Sequence, residues 1–181
     1  VVAGEGQAGR QVDWYEASAN SDPTGLKNAT QRGLMLGYPL MGLRIVVEEV
    51  KRAEELGSGG ITTPGALQGA GAGAVRDALM QGEEILLEPV MKLSLTVPED
   101  CLGGVLSDIT GHRRGRIRNV EQRGERAYVD AEAPLATLLG YATGIRSQTR
   151  GEGTFSMEYL THRQVDDVAL PDVMKAHGKV I

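Results

Sequence analysis

The sequence predicts an α+β fold built as two small α/β sandwiches, residues 1–86 and 87–181. Three observations predict it. Met91, Leu93, Leu95 and Val97 alternate with Lys92, Ser94 and Thr96, the period-two pattern of a half-buried strand. Leu102, Val105, Leu106 and Ile109 then recur at helical spacing. The patterning also changes near Glu88, being glycine-rich and weakly periodic before it and regular after it.

In the first half, residues 4–25 read as loop or an irregular edge. A short helix fits 26–36, where Leu26, Ala29, Thr30 and Gly33 recur, although Gly33 and Gly37 weaken it. After Gly37-Tyr38-Pro39, Leu43, Ile45 and Val47 alternate with Arg44, Val46 and Glu48 as a strand. A charged stretch over 48–55 leads to Gly57-Ser58-Gly59-Gly60, the composition of a loop tip. Thr63 is placed to cap a helix that Pro64 opens, because a first-position proline lacks only an N–H that the helix would leave unpaired. Leu67, Ala70, Gly71, Ala74, Ala78 and Leu79 fall on one face of that helix. Its run Gly69-Ala70-Gly71-Ala72-Gly73 resembles a dinucleotide-binding turn, but such glycines must sit between a strand and the helix start. Here the helix has already begun, so small residues that let it pack closely on a sheet are the better reading.

In the second half, Pro98-Glu99-Asp100 supplies a first-turn proline and two acids suited to the positive end of a helix dipole, and Gly111 suits the left-handed residue that ends the helix. Strands follow at 116–122 and 127–132, the second with Ala127, Val129 and Ala131 on one face, and Arg123-Gly124 turns the chain between them. Pro134 opens a second helix striped by Leu135, Leu138, Leu139, Ala142 and Ile145, and Phe155, Met157 and Tyr159 mark a last strand. The order βαββαβ is the split βαβ, or ferredoxin-like, unit. Pro171 and Asp172 open a short terminal helix.

Composition narrows the function. With 41% hydrophobic residues among 181, the chain can bury a core. Its longest apolar stretch, 33–43, is broken by Pro39 and falls short of the roughly 20 residues a membrane helix needs. No membrane association is expected. The first residues lack the pattern of a signal or transit peptide, and without an initiator Met the chain is expected to be a piece of a longer one. One cysteine, Cys101, forms no internal disulfide and reads as a small buried hydrophobe. Three scattered histidines give no zinc spacing, and Asp166, Asp167 and Asp172 read as solvated acids rather than a metal site. A net charge of −5 argues against indiscriminate nucleic-acid binding, yet leaves room for a basic patch. Between His112 and Arg126 lie Arg113, Arg114, Arg116, Arg118, Arg123 and Arg126 against only Glu121 and Glu125. Composition alone makes this a solvated hairpin as readily as an RNA contact, although the guanidinium fork suits phosphate oxygens. Arg146, Ser147 and Gln148 end the second helix, where an ordinary cation would also favour the dipole.

Four ordered motifs resemble the fifth domain of the elongation factor G family. They are Leu87-Glu88-Pro89-Val90-Met91 running on to Val97-Pro98-Glu99; Arg113-Arg114-Gly115-Arg116-Ile117; Ala133-Pro134-Leu135 with Leu139-Gly140-Tyr141-Ala142-Thr143-Gly144-Ile145-Arg146-Ser147; and Gly151-Glu152-Gly153-Thr154-Phe155-Ser156-Met157-Glu158. The resemblance covers about 86–165. Gly37-Tyr38-Pro39-Leu40 resembles a segment of the family's fourth domain, so 1–86 is expected to be a partial fourth domain. The family's His-containing loop after that strand has no counterpart in 51–63. This departure weakens a translocase reading and resembles the ribosome-releasing mitochondrial branch, with Thr62-Thr63-Pro64-Gly65-Ala66-Leu67 similar to its fungal form.

The resemblance implies a ribosome-contacting part of a translational GTPase that splits mitochondrial ribosomes together with the ribosome recycling factor. It implies a monomer in the mitochondrial matrix. Arg113, Arg114, Arg116, Arg118, Arg146, Ser147 and Gln148 become candidate ribosomal-RNA contacts, with Arg146 on the position that meets the sarcin–ricin loop of the large subunit. No catalytic centre or cofactor is expected in the chain itself. GTP and magnesium would belong to a nucleotide domain elsewhere in the parent, since no Gly-x-x-x-x-Gly-Lys-Ser/Thr occurs here. Alternatives are a translocase-type elongation factor G fragment and a free-standing ferredoxin-like RNA binder. The latter needs aromatics on the middle strands, where only Tyr128 stands. A small enzyme on this scaffold is the weakest, for want of a paired acid and base or a nucleophile.

Overall fold

A computed structural model describes residues 13–14, 23–57 and 59–178, so the expectations for most of 4–25 and for Ser58 lie outside the described residues. The chain divides into two compact units: Val1–Leu86 with Val165–Ile181, and Leu87–Gln164.

In the first unit, β1 (Asp13–Trp14) pairs in parallel with β2 (Arg44–Ile45). Helix α1 (Pro23–Ala29) is shorter than the expected 26–36. It stops because the chain folds back: Gly33 N–H donates to Tyr38 O at 2.8 Å, and Leu40 N–H donates to Thr30 O at 2.8 Å. Helix α2 (Pro64–Met80) begins as its sequence dictates, the Thr63 hydroxyl accepting from the Ala66 N–H at 3.2 Å. Its buried side carries Val75 and Leu79, with Gly71 beneath Leu26, while Ala70 and Ala74 are exposed. The expected stripe is therefore rotated, and the close contact is with a helix rather than a sheet. At Gly25 any side chain would overlap the backbone of Gln68, so α1 rests directly on α2. Ile45, Val75 and Leu79 form the small core, and Leu43 and Val47 pack on it, so the alternation over 43–47 points inward.

The C-terminal segment Val165–Ile181 groups with this unit, whereas the sequence places it with 87–181. Val165 N–H donates to Leu86 O at 2.9 Å, and beyond α5 (Leu170–Ala176) the His177 ring meets Tyr38 edge-on at 5.8 Å.

The second unit is a four-stranded antiparallel sheet in the order β4-β5-β3-β6, the ferredoxin-like arrangement that the sequence predicts. Its strands are β3 (Leu87–Pro98), β4 (Arg116–Arg123), β5 (Arg126–Pro134) and β6 (Thr154–Gln164). Leu93, Leu95, Val97, Ala127, Val129, Ala131 and Ala133 face one side and are buried. A fully buried leucine or valine contributes about 1.5–3 kcal/mol by leaving water. Against that face lie α3 (Leu102–Ser107) and α4 (Tyr141–Gln148), through Val105, Ile109, Tyr141 and Ile145, with Leu102 and Leu106 packed beside them.

Two helix readings change. Gly111 is not the left-handed residue; a π-helical turn, Asp108–His112, carries the helix past it, and Arg114 takes the positive φ of 51°. The second helix is not continuous from Pro134. A 3-10 turn, Leu135–Leu138, ends at an extended Leu139, and left-handed Gly140 (φ 76°) restarts the chain as α4. Leu139 is 78% exposed and Ala142 is exposed, while Tyr141 takes the core position. Cys101 is half-buried rather than buried, its thiol donating to Asp100 Oδ1 at 3.4 Å. Burial, aided by that carboxylate, pushes the thiol pKa up.

Candidate nucleic-acid interface

The arginines of 112–126 divide into those that hold the fold and those that face solvent. Arg113 belongs to the first group. Its Nε donates to Asp108 Oδ2 at 2.7 Å and its Nη1 to Thr137 O at 2.6 Å, and its guanidinium lies 4.3 Å from the centre of the Tyr141 ring. One side chain thus ties the π turn, the 3-10 turn and α4 together. The Tyr141 hydroxyl has no hydrogen-bond partner among the described residues, and burial, then the charge of Asp108, pushes its pKa up to about 12. Arg114 makes two 2.7 Å bonds to the carboxylate of Glu88, a bidentate fork that holds its left-handed backbone. Gly115 follows because nothing larger fits: a Cβ there would sit 2.8 Å from Ile109 O and 3.1 Å from Glu132 O.

Arg116 and Arg118 open β4 on the sheet face that carries no helix. Cross-strand partners point the same way, so Arg116, Glu132, Lys92 and Glu158 form one row across the four strands. A bulge at Arg118 lets its Nε and Nη2 reach Glu132 Oε1 and Oε2 at 2.7 and 2.8 Å, and from β6 Arg163 Nη2 reaches Oε2 at 2.8 Å. Bonds from Arg118 above all, and from Arg163, outweigh burial and hold the Glu132 pKa down to about 2. At the hairpin tip Arg123 bonds Glu121 at 2.7 Å and lies 5.5 Å from the Tyr128 ring centre, while Arg126 is exposed. Arg116 and Arg123 stand seven residues apart on one strand, roughly 24 Å at strand rise, so the hairpin offers two basic points rather than one patch.

Arg146, Ser147 and Gln148 are exposed in the last turns of α4. The helix end beneath them is fixed: Tyr141 and Ile145 are buried, and the Thr149 hydroxyl donates to Ile145 O while accepting from Gly153 N–H, both at 2.7 Å. Among the described residues neither Arg146 nor Arg116 has a side-chain partner, so their guanidiniums are open to an anion. The structure therefore joins Arg116 and Arg118 on the open sheet face, leaves Arg146 to Gln148 together on α4, and turns Arg113 and Arg114 inward. Sequence reasoning missed Lys92 and Arg163, which flank Glu132. Strand alternation puts Lys92 on this face, but only the sheet register brings Arg163 there.

Gly69, Gly71 and Gly73 lie inside α2 and not at a strand–helix turn, and among the described residues no cluster of three His, Cys, Asp or Glu is placed to hold a metal ion.

The second unit defines a ferredoxin-like α+β sandwich with arginines on two of its surfaces. Residues 85–173 match the protein-family model described as elongation factor G C-terminus. Among solved structures, a crystal structure of a Thermus thermophilus protein is similar at 30% sequence identity with a TM-score of 0.73, over 86% of this chain. The chain spans 23% of the length of that relative.

Proposed function

We propose that the chain is the ribosome-contacting C-terminal part of a translational GTPase, which docks on large-subunit RNA through the end of α4. The observation that carries this reading is Arg146, a guanidinium without a partner among the described residues, on a helix end locked by Tyr141, Ile145 and Thr149. An arginine on a fixed helix end presents its guanidinium fork to solvent from a set point, and phosphate contacts position a protein without reading sequence. With Arg146 in the position that the family resemblance assigns to the sarcin–ricin loop, Ser147 and Gln148 supply neighbouring hydrogen-bonding groups.

Within that class the reading is recycling of mitochondrial ribosomes with the recycling factor. It rests on 48–62. Glu48, Glu49, Glu54 and Glu55 outnumber Lys51 and Arg52. Glu54 closes the loop on itself, accepting from Thr62 N–H at 2.6 Å and from its hydroxyl at 2.7 Å, while Ala53 N–H donates to Thr62 Oγ1 at 2.8 Å. A closed, net-acidic loop disfavours approach to RNA phosphates and suits a basic protein surface, where charge complementarity speeds encounter. GTP and magnesium belong to the parent's nucleotide domain in this reading. The test is a subunit-splitting assay with the parent protein, GTP and recycling factor, beside a translocation assay. Splitting that depends on the recycling factor, with poor translocation, is expected; efficient translocation without such splitting would overturn the recycling reading.

A further inference from the structure

We infer that the open sheet face of the second unit carries a separate RNA-phosphate site, formed by Lys92, Arg116, Arg118 and Arg163 around Glu132. It rests on the ribosome-docking reading only for the class of ligand; its residues and its face are different from those of Arg146.

Four cations converge on a row that holds two carboxylates, Glu132 and the exposed Glu158. Glu132 cannot neutralise them all. Both its oxygens are taken by Arg118, and Oε2 also by Arg163, which leaves Lys92 and Arg116 without a side-chain partner among the described residues. Those same bonds fix the two guanidiniums while leaving Nη1 of Arg118, and Nε and Nη1 of Arg163, uncommitted among the described residues. The side chains of Arg118 and Arg163 remain 55% and 35% exposed, so both reach solvent. Glu132 is thus a positioning residue. It holds two forks in place at the cost of one negative charge, and the group leaves a surplus of positive charge on a shallow polar face. A phosphodiester fits that surplus: it is anionic, and its oxygens accept from several N–H groups at once. Further along the same face the charge reverses at Asp130, bonded by Ser94 Oγ at 3.0 Å, and at Glu121, so the site is confined to one end of the sheet.

The test is titration of the whole chain with a short labelled RNA hairpin at stepped salt. R163Q and K92Q are each expected to weaken binding several-fold and to reduce the slope of log K against log salt by about 0.7–0.9, one phosphate contact. R163K, which keeps the charge but loses the fork, is expected to fall between R163Q and the parent chain. E132Q separates positioning from charge: it adds net positive charge, so a diffuse field would bind RNA more tightly, whereas the proposal expects weaker binding with the fold intact by circular dichroism. The proposal is overturned by any of four results: no binding of the unmodified chain, slopes unchanged in R163Q and K92Q, tighter binding by E132Q, or loss of polyglutamate rather than RNA binding in these variants. Loss of binding in R146Q with none in R163Q would leave docking through α4 standing and remove this site alone.

Discussion

Arg113 lies 4.3 Å from the centre of the Tyr141 ring while its Nε bonds Asp108 at 2.7 Å, so one guanidinium closes the contact between the π turn and α4. With 17% of its side chain exposed, this arginine belongs to the scaffold of the second unit. R113A removes the donor to Asp108 Oδ2 and to Thr137 O and should destabilise the second unit by about 2–3 kcal/mol. Urea unfolding checks this; a change below about 0.5 kcal/mol, the range of ordinary surface substitutions, would show that the contact contributes little.

Gly115 and Gly111 should respond in opposite directions. A Cβ on Gly115 meets Ile109 Cγ2 and lies 2.8 Å from Ile109 O, so G115A should destabilise by about 1–3 kcal/mol through overpacking. Gly111 sits in a helical turn with nothing within 4 Å, and G111A should stabilise by about 0.4–1 kcal/mol by restricting the unfolded chain. Thermal melts of the two variants give the order; equal effects would contradict the close packing at Gly115.

The Glu132 carboxylate has its pKa lowered from 4.5 to about 2 in the folded chain. A depressed folded pKa means stability that is fully present above the unfolded value and is lost as pH falls through the folded one. Stability should therefore decline between pH 4.5 and about 2, and E132Q should flatten this part of the profile. An acid titration followed by circular dichroism reads it. An unchanged profile in E132Q would place the acid sensitivity in other carboxylates.

Much of the second unit was legible because its signals are local. The alternation over 91–97 and 127–131, the stripe of Val105 and Ile109, and in the first unit the Thr63 cap, each depend on neighbours in sequence. The break at Leu139-Gly140 was hidden because Leu135, Leu138 and Ile145 fit a continuous helix equally well; only left-handed Gly140 resets the face and brings Tyr141 inward. At the interface, the arginine-rich composition was visible but its division was not. Arg114 pairs with Glu88 and Arg163 with Glu132, partners 26 and 31 residues away that only the sheet register brings together. In the first unit, the face of α2 was misread because Gly71 packs on Leu26 of α1, a contact that composition does not encode.

The most direct measurement for the docking claim is co-sedimentation of the chain with isolated large ribosomal subunits at stepped salt, comparing the unmodified chain with R146Q. Arg146 is exposed and unpaired among the described residues, so the substitution should leave stability within about 0.5 kcal/mol. R146Q is expected to bind several-fold more weakly, with a salt slope reduced by about 0.7–0.9, one phosphate contact. Identical affinity and slope for the two proteins, with identical melting curves, would contradict docking through Arg146.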